Sequence, residues 1–396
     1  MLAPFLAPAL REACERCWSF RKTPLHRSSY RIGMAAYFSA KVEMNKHRTT
    51  NMNRHLVAIA ALMLIVIDSA RGEPDAKITD EIIPVTVENF VRAETDLYFR
   101  RIVKEGGFGK FRHHRELMPI DQQTVIRSNR DTLYSAAVFD LNAGVASVFL
   151  PDAGDRFISL QEINQDHYCY DVVYEPGRYS YSRAKYVTRY LMIAIRILVD
   201  PSKPGDLEAV HKLQDAIKVE QFEPGSFEVP KWEEASQKKV RDALLVLGST
   251  LPDSKRMFGR QAAVDPVRHL IGSAMAWGGN PEKEATYLNV TPEHNDGKTV
   301  HTLTVKDVPV DGFWSISVYN AKGYFERNEQ NAYTLNNLTA RKNADGSVTI
   351  QFGGETNAAP NVLPITPGWN YLVRLYRPRK EVLEGSWKFP EAQPVK

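Results

Sequence analysis

The chain has 396 residues, 43% hydrophobic and 25% charged, an ordinary globular balance that excludes a disordered or collagen-like protein. Three cysteines are too few for a disulfide-built scaffold. The formal charge of +4 sits at one end: residues 1–51 hold nine Lys/Arg against three Asp/Glu, whereas residues 73–396 hold 40 against 43. A slightly acidic main body argues against a nucleic-acid partner.

Residues 56–67 (LVAIAALMLIVI) form an unbroken apolar run of twelve. Spanning a bilayer takes about 20 such residues, so this run fits the apolar region of a signal peptide. Arg54 and His55 precede it, and Ala70 and Gly72 supply small residues where a signal peptidase reads. The expected signal peptide is 52–72, cleaved after Gly72. The expected product is periplasmic or secreted, with no transmembrane segment in the mature chain. Residues 1–51 are basic and aperiodic, and we expect them to be a non-native or disordered extension ahead of a start at Met52. Their lone Cys14–Cys17 pair lacks the second pair of a metal site. Beyond residue 72 only Cys169 remains.

Helical spacing of Val87, Phe90, Val91, Leu97, Tyr98 and Ile102 predicts a first helix over 86–104, stopped by Gly106-Gly107. Strand patterns follow at 132–139, 145–150, 156–163, 168–174 and 186–199, separated by turn clusters such as Pro151-Asp152-Ala153-Gly154. The period returns to helical over 204–279, with one helix around Leu207–Ile217, one around Val240–Leu247 and one around Val267–Ala274. Strands resume at 284–290, 299–305, 312–320, 347–352 and 369–376. This segregation predicts an α+β protein. Its two β-rich, sandwich- or jelly-roll-like lobes span 85–200 and 284–390, and 204–279 is their helical connector.

The standard catalytic signatures are missing: no G-x-S-x-G, no G-x-x-x-x-G-K-[ST] and no H-E-x-x-H. Gly106-Gly107-Phe108-Gly109-Lys110 follows a helix rather than a strand and reads as a helix stop. Adjacent His113 and His114 point apart on any regular element and rarely share one ion. The residues specify no metal ligand set and no cofactor.

Two segments carry unusual chemistry. The first is residues 127–135 (Arg-Ser-Asn-Arg-Asp-Thr-Leu-Tyr-Ser), where Asn129, Arg130 and Asp131 lead into an apolar strand and offer an amide, a planar cationic fork and a carboxylate. An internal Arg130–Asp131 pair in a turn would explain the same residues. In residues 311–320, Phe313, Ser315, Ser317 and Tyr319 share one strand face, and Trp314, Ile316, Val318 and Asn320 the other. Asn331-Ala332-Tyr333-Thr334-Leu335-Asn336 follows downstream, and aromatic rings beside hydroxyls and amides suit a carbohydrate or small polar ligand, although a sandwich core produces the same alternation.

At these two segments the chain resembles the bacterial proteins built from domain of unknown function 1254 followed by domain of unknown function 1214. The first likeness rests on Asn129 through Ser135, Gly177-Arg178-Tyr179 and Leu198-Val199-Asp200-Pro201. The second rests on Gly312-Phe313-Trp314-Ser315, Tyr319-Asn320, Tyr333, Asn361-Val362-Leu363-Pro364 and Tyr371 through Tyr376. Val362 departs from the Trp that the family often carries there. The resemblance implies a two-lobed β-rich fold, often behind a signal peptide, and no agreed reaction.

The first functional expectation is a hydrolase or related enzyme acting on a small anionic or hydroxylated molecule. Asp131 or His167 would be its acid–base group, and Arg130 and Arg374 would stabilise charge. Asn129, Tyr134, Trp314, Ser315, Tyr319, Asn320, Tyr333 and Tyr376 would join Arg374 in holding the ligand. The competing readings are a non-catalytic ligand-binding or envelope-associated protein, and an exported structural domain. The expected partner is a small molecule, and an oligomer is compatible with the chain. The two segments should meet at a shared pocket, because buried polar groups left unpaired cost about 1–3 kcal/mol each.

Overall fold

The computed structural model describes residues 81–123, 126–355 and 359–395. The expected signal peptide and the stretch before it lie outside the described residues. Helix α1 spans Phe90–Lys104 and starts later than its apolar spacing suggests. The Asn89 side chain accepts from the Thr86 amide at 2.8 Å, making a turn and leaving α1 without a side-chain cap.

Seven strands build the first lobe: β1 Thr132–Asp140, β2 Ala146–Leu150, β3 Ile158–Asn164, β4 Cys169–Val173, β5 Gly177–Tyr181, β6 Tyr190–Leu198 and β7 Lys218–Glu220. An antiparallel sheet ordered β1-β6-β3-β4, edged by Arg112–His113, faces a smaller sheet ordered β5-β2-β7. Period two sends Leu133, Ala137 and Phe139 of β1, with Ile193 and Ile195 of β6, onto Ala146, Val148 and Leu150 of β2. The run expected as one strand over 186–199 divides. Tyr186 ends a helical turn, and Val187 takes a φ of 65°, so β6 begins only at Tyr190.

The second lobe repeats the architecture with β8 Ala285–Val290, β9 His301–Val305, β10 Trp314–Tyr319, β11 Thr334–Asn336, β12 Val348–Phe352, β13 Val362–Leu363 and β14 Asn370–Tyr376. Sheet β8-β14-β10-β11 packs on β13-β12-β9, which Gln393–Pro394 extends. Trp314, Ile316 and Val318 of β10, with Tyr371, Val373 and Leu375 of β14, fill the space between them.

Between the lobes run α2 Asp206–Ala216, α3 Glu234–Gly248 and α4 Pro266–Met275. Pro266 opens α4, and Asp265 caps it by accepting from the Val267 and Arg268 amides. Helices α3 and α4 pack with Phe90 and Ala93 of α1. The stretch is not purely helical. Strand β7 joins the first lobe, and Lys231–Trp232 pairs in parallel with Ile82–Ile83.

Candidate functional site

Each lobe spends one face of a sheet on its own core and turns the other toward its neighbour. On β14 this second face carries Leu372, Arg374 and Tyr376, and on β10 Ser315, Ser317 and Tyr319. On β1 and β6 it carries Tyr134 and Arg196, which are cross-strand partners. The loop 126–131 lies along this seam. Leu198 and Phe157 meet Phe313 and Tyr376 there, with Phe313 and Tyr376 stacked at 4.3 Å.

Asp131 enters the second lobe directly. Its Oδ1 accepts from Asn336 Nδ2 at 3.0 Å and Thr334 Oγ1 at 3.2 Å. Burial pushes its carboxyl up, against the opposing influence of Arg374 and of the Ser315, Asn336 and Thr334 side chains. Among the described residues neither Asp131 Oδ2 nor Ser315 Oγ has a well-formed hydrogen bond, yet the Ser315 hydroxyl lies close enough to lower the carboxyl's pKa. Arg374, 3% exposed, donates to Ser317 Oγ at 2.9 Å and to the Tyr319 hydroxyl and Arg127 carbonyl at 2.8 Å each. It reaches the Ser128 carbonyl as well, at 3.1 Å.

A second polar group adjoins the first through Asn129. Its amide nitrogen lies 3.1 Å from both the Tyr134 and Tyr376 hydroxyls, and 3.2 Å from Thr132 Oγ1. Arg196 sits over the Tyr134 ring, and donates to Gln161 Oε1 at 2.7 Å and the Gly278 carbonyl at 3.1 Å. Tyr287 receives the Asn280 amide at 3.1 Å. Burial and the neighbouring Tyr287 and Tyr134 drive the Tyr376 phenol well above the ordinary range.

Arg127 and Arg130 edge the seam beside the packed rings of Tyr319, Phe325 and Tyr333. Arg130 donates to the Met118 carbonyl and covers the Tyr333 ring at 5.3 Å. Burial lowers the pKa of both arginines. Among the described residues no carboxylate forms an ion pair with Arg127, Arg130, Arg196 or Arg374. Elsewhere in the fold Arg92, Arg156, Arg189 and Arg241 each have one. The seam is closed over Asp131 and Arg374, while Asn129, Arg130, Tyr134 and Tyr287 keep part of their surface exposed.

The two sequence segments therefore meet, bringing Asn129, Arg130, Asp131, Tyr134, Ser315, Tyr319, Tyr333, Arg374 and Tyr376 together. Three expected members fall elsewhere. His167 lies in the tight turn between β3 and β4 at a φ of 62°, and that turn carries it under α4. Its Nδ1 meets Ser273 Oγ at 2.8 Å and its Nε2 accepts from the Gly278 amide at 2.8 Å, so both nitrogens are engaged. Trp314 points into the second sandwich against Phe389, as strand alternation requires. Asn320 shapes a turn, its side-chain oxygen accepting from the Lys322 and Tyr324 amides. The anticipated Arg130–Asp131 pair does not form.

Sequence reasoning did not single out Arg196 or Tyr287, and it placed Arg127, Thr334 and Asn336 within the stretches 127–135 and 331–336 without giving them a role. Arg196 left a signal, as a charge inside an otherwise apolar alternating strand. No group of three or more His, Cys, Asp or Glu residues among those described is placed to hold a metal. A cavity of about 280 Å³ is lined by Cys169, Val172, Phe258, Arg260, Pro281 and Glu284, and Gln161 joins its Cys169 to Arg196 of the seam.

Family models match in the order the resemblance gave. Protein of unknown function (DUF1254) covers residues 108–221, and protein of unknown function (DUF1214) covers 285–380. The first match includes β7, in keeping with that strand's place in the first lobe. No curated protein matches the chain. The crystal structure of the VPA0106 protein from Vibrio parahaemolyticus is similar, with a TM-score of 0.61 at 15% identity over 78% of this chain and 98% of that one. An uncharacterized protein from Burkholderia cenocepacia aligns at a TM-score of 0.47 and 14% identity, over 78% and 87%. The Vibrio likeness is one of fold.

Proposed function

In a chain that belongs to the proteins carrying DUF1254 followed by DUF1214, we propose that the seam between the lobes binds a small, oxygen-rich anion. The observation that carries this reading is the gathering of Arg127, Arg130, Arg196 and Arg374, none of them in an ion pair with a carboxylate among the described residues; Asp131 is near enough to Arg374 to interact with it, but burial favours its protonated form. Desolvating a cation is costly unless it is paired, and elsewhere this fold pairs its enclosed arginines with Asp or Glu. A carboxylate or phosphate ligand supplies the missing charge, and the arginine fork suits its oxygens. Arg130, Asn129 and Tyr134, which keep accessible surface, are the groups that meet it.

Binding is favoured over hydrolysis. A hydrolytic base must reach its substrate, and Asp131 is enclosed at 1% exposure with one oxygen held by Thr334 and Asn336. The apolar run 56–67 and the small residues after it support export of this binding protein to the periplasm or beyond.

Isothermal titration of the purified protein with inorganic phosphate and with acetate tests the reading. Saturable binding that Arg130→Ala abolishes, with only a modest change in melting temperature, is expected. Unchanged binding in Arg130→Ala, or none of either anion by the wild type, would count against it.

A further inference from the structure

Resting on the anion-binding reading, the geometry points to Tyr134 as the residue that donates a proton to an oxygen of the bound ligand. Three phenols from two lobes gather around one guanidinium. Tyr134 comes from β1, Tyr287 from β8 and Tyr376 from β14, and Arg196 interacts electrostatically with all three. Arg196 is itself fixed by Gln161 Oε1 and the Gly278 carbonyl, so its charge stays in place without a carboxylate among the described residues to cancel it.

The hydrogen-bond directions around Tyr134 are informative. Asn129 approaches its oxygen through Nδ2, which only donates, and Arg196 likewise has no acceptor. Both stabilise the phenolic oxygen as an acceptor and leave its proton for another partner. Asn129 has two amide hydrogens for the oxygens of Thr132, Tyr134 and Tyr376, so it does not satisfy all three at once. Tyr287 shows the same polarity, receiving an amide hydrogen from Asn280. As whole residues Tyr134 and Tyr287 are half-buried, while Tyr376 is 3% exposed.

In the transfer, the O–H bond of Tyr134 breaks and an O–H bond forms on the ligand oxygen. The electron pair left on the phenolate faces the Arg196 guanidinium and the Asn129 amide. The electrostatics agree with this direction. Burial alone raises the Tyr134 phenol, but Arg196 and hydrogen bonds from Asn129 and Thr132 outweigh it and bring the group below the usual tyrosine range. Tyr376, with the same Asn129 donor, moves the opposite way.

Two measurements test the assignment, and they fail separately from the binding reading. In protein labelled at tyrosine Cζ with carbon-13 and free of ligand, the resonance that Tyr134→Phe deletes should titrate before those of the exposed tyrosines. It should move to higher pH in Arg196→Gln, which removes the charge, and stay early in Arg196→Lys, which keeps a cation. A Tyr134 resonance that titrates with or after the exposed tyrosines overturns the assignment, whether or not an anion binds. Titration with phosphate in buffers of different ionisation enthalpy should reveal proton uptake at mildly alkaline pH, absent in Tyr134→Phe. Equal uptake in Tyr134→Phe also overturns it. If phosphate does not bind at all, the binding reading falls and the resonance titration alone decides the role of Tyr134.

Discussion

The Tyr319 hydroxyl donates to the Ser128 carbonyl at 2.8 Å across 191 residues of chain, and Arg374 donates to that same carbonyl at 3.1 Å. One backbone oxygen of the first lobe thus accepts two donors from the sheet of the second. Loop-closure entropy grows only logarithmically with chain length, so the long separation costs little more than a short one. The seam is held by named hydrogen bonds as well as by apolar contact, and that makes it testable one residue at a time.

Arg374→Ala removes donors from Ser317, Tyr319 and two carbonyls at once. Hydrogen bonds involving a charged group contribute about 1.5–3 kcal/mol each, without simple additivity. A loss of at least about 3 kcal/mol in urea unfolding is expected. A loss below about 1 kcal/mol, the scale of an exposed pair, would show that the contact is incidental.

Asp131→Asn should behave differently. The folded-state pKa of Asp131 lies above its unfolded value, so the native state retains the proton longer. Stability therefore falls as pH rises from the unfolded carboxyl range, about 4, through the higher folded value. Asparagine keeps an oxygen for Thr334 and Asn336 and presents an amide toward Ser315. Its stability relative to wild type should improve from acidic to neutral pH, read from melting curves. A constant difference across that range would contradict the assignment.

Burial and the neighbouring His269 hold the His167 imidazole well below its usual range. Its folded-state pKa is the lower one, so the unfolded chain binds the extra proton first. Stability is lost as pH falls below about 6.5. His167→Asn tolerates the left-handed backbone and cannot titrate, so its melting temperature should fall less between pH 7 and pH 5, spanning the range where an ordinary histidine charges. An identical decline would remove His167 from the acid response.

Cys169 is buried, and desolvation pushes its thiol up to about 12. It should resist a thiol reagent in the native protein and react when the chain unfolds. Rapid native labelling would show that the strand around it opens.

Much of this arrangement is written in alternation. Period two in 312–320 separates Trp314, Ile316 and Val318 from Ser315, Ser317 and Tyr319, and the structure keeps that division. Alternation does not reveal which face meets another lobe, and Trp314 was therefore grouped with the ligand residues although it lies in the core. Strand β11 is too short for a periodic signal, so the polar stretch 331–336 is visible in the sequence but the pairing of Thr334 and Asn336 with Asp131 is not. The turn at His167 depends on Asn164 Oδ1 accepting from the Asp166 and Tyr168 amides, a local bond that spacing does not display.

If the arginines of the seam bind an anion as proposed, a bound anion should be visible between the lobes. Crystals grown with tungstate, a heavy analogue of phosphate, would locate one by its anomalous scattering. A peak is expected between the lobes within hydrogen-bond reach of Arg130 and Tyr134, lost in Arg130→Ala. Tungstate bound only elsewhere, with the seam closed by protein and water, would contradict the proposal.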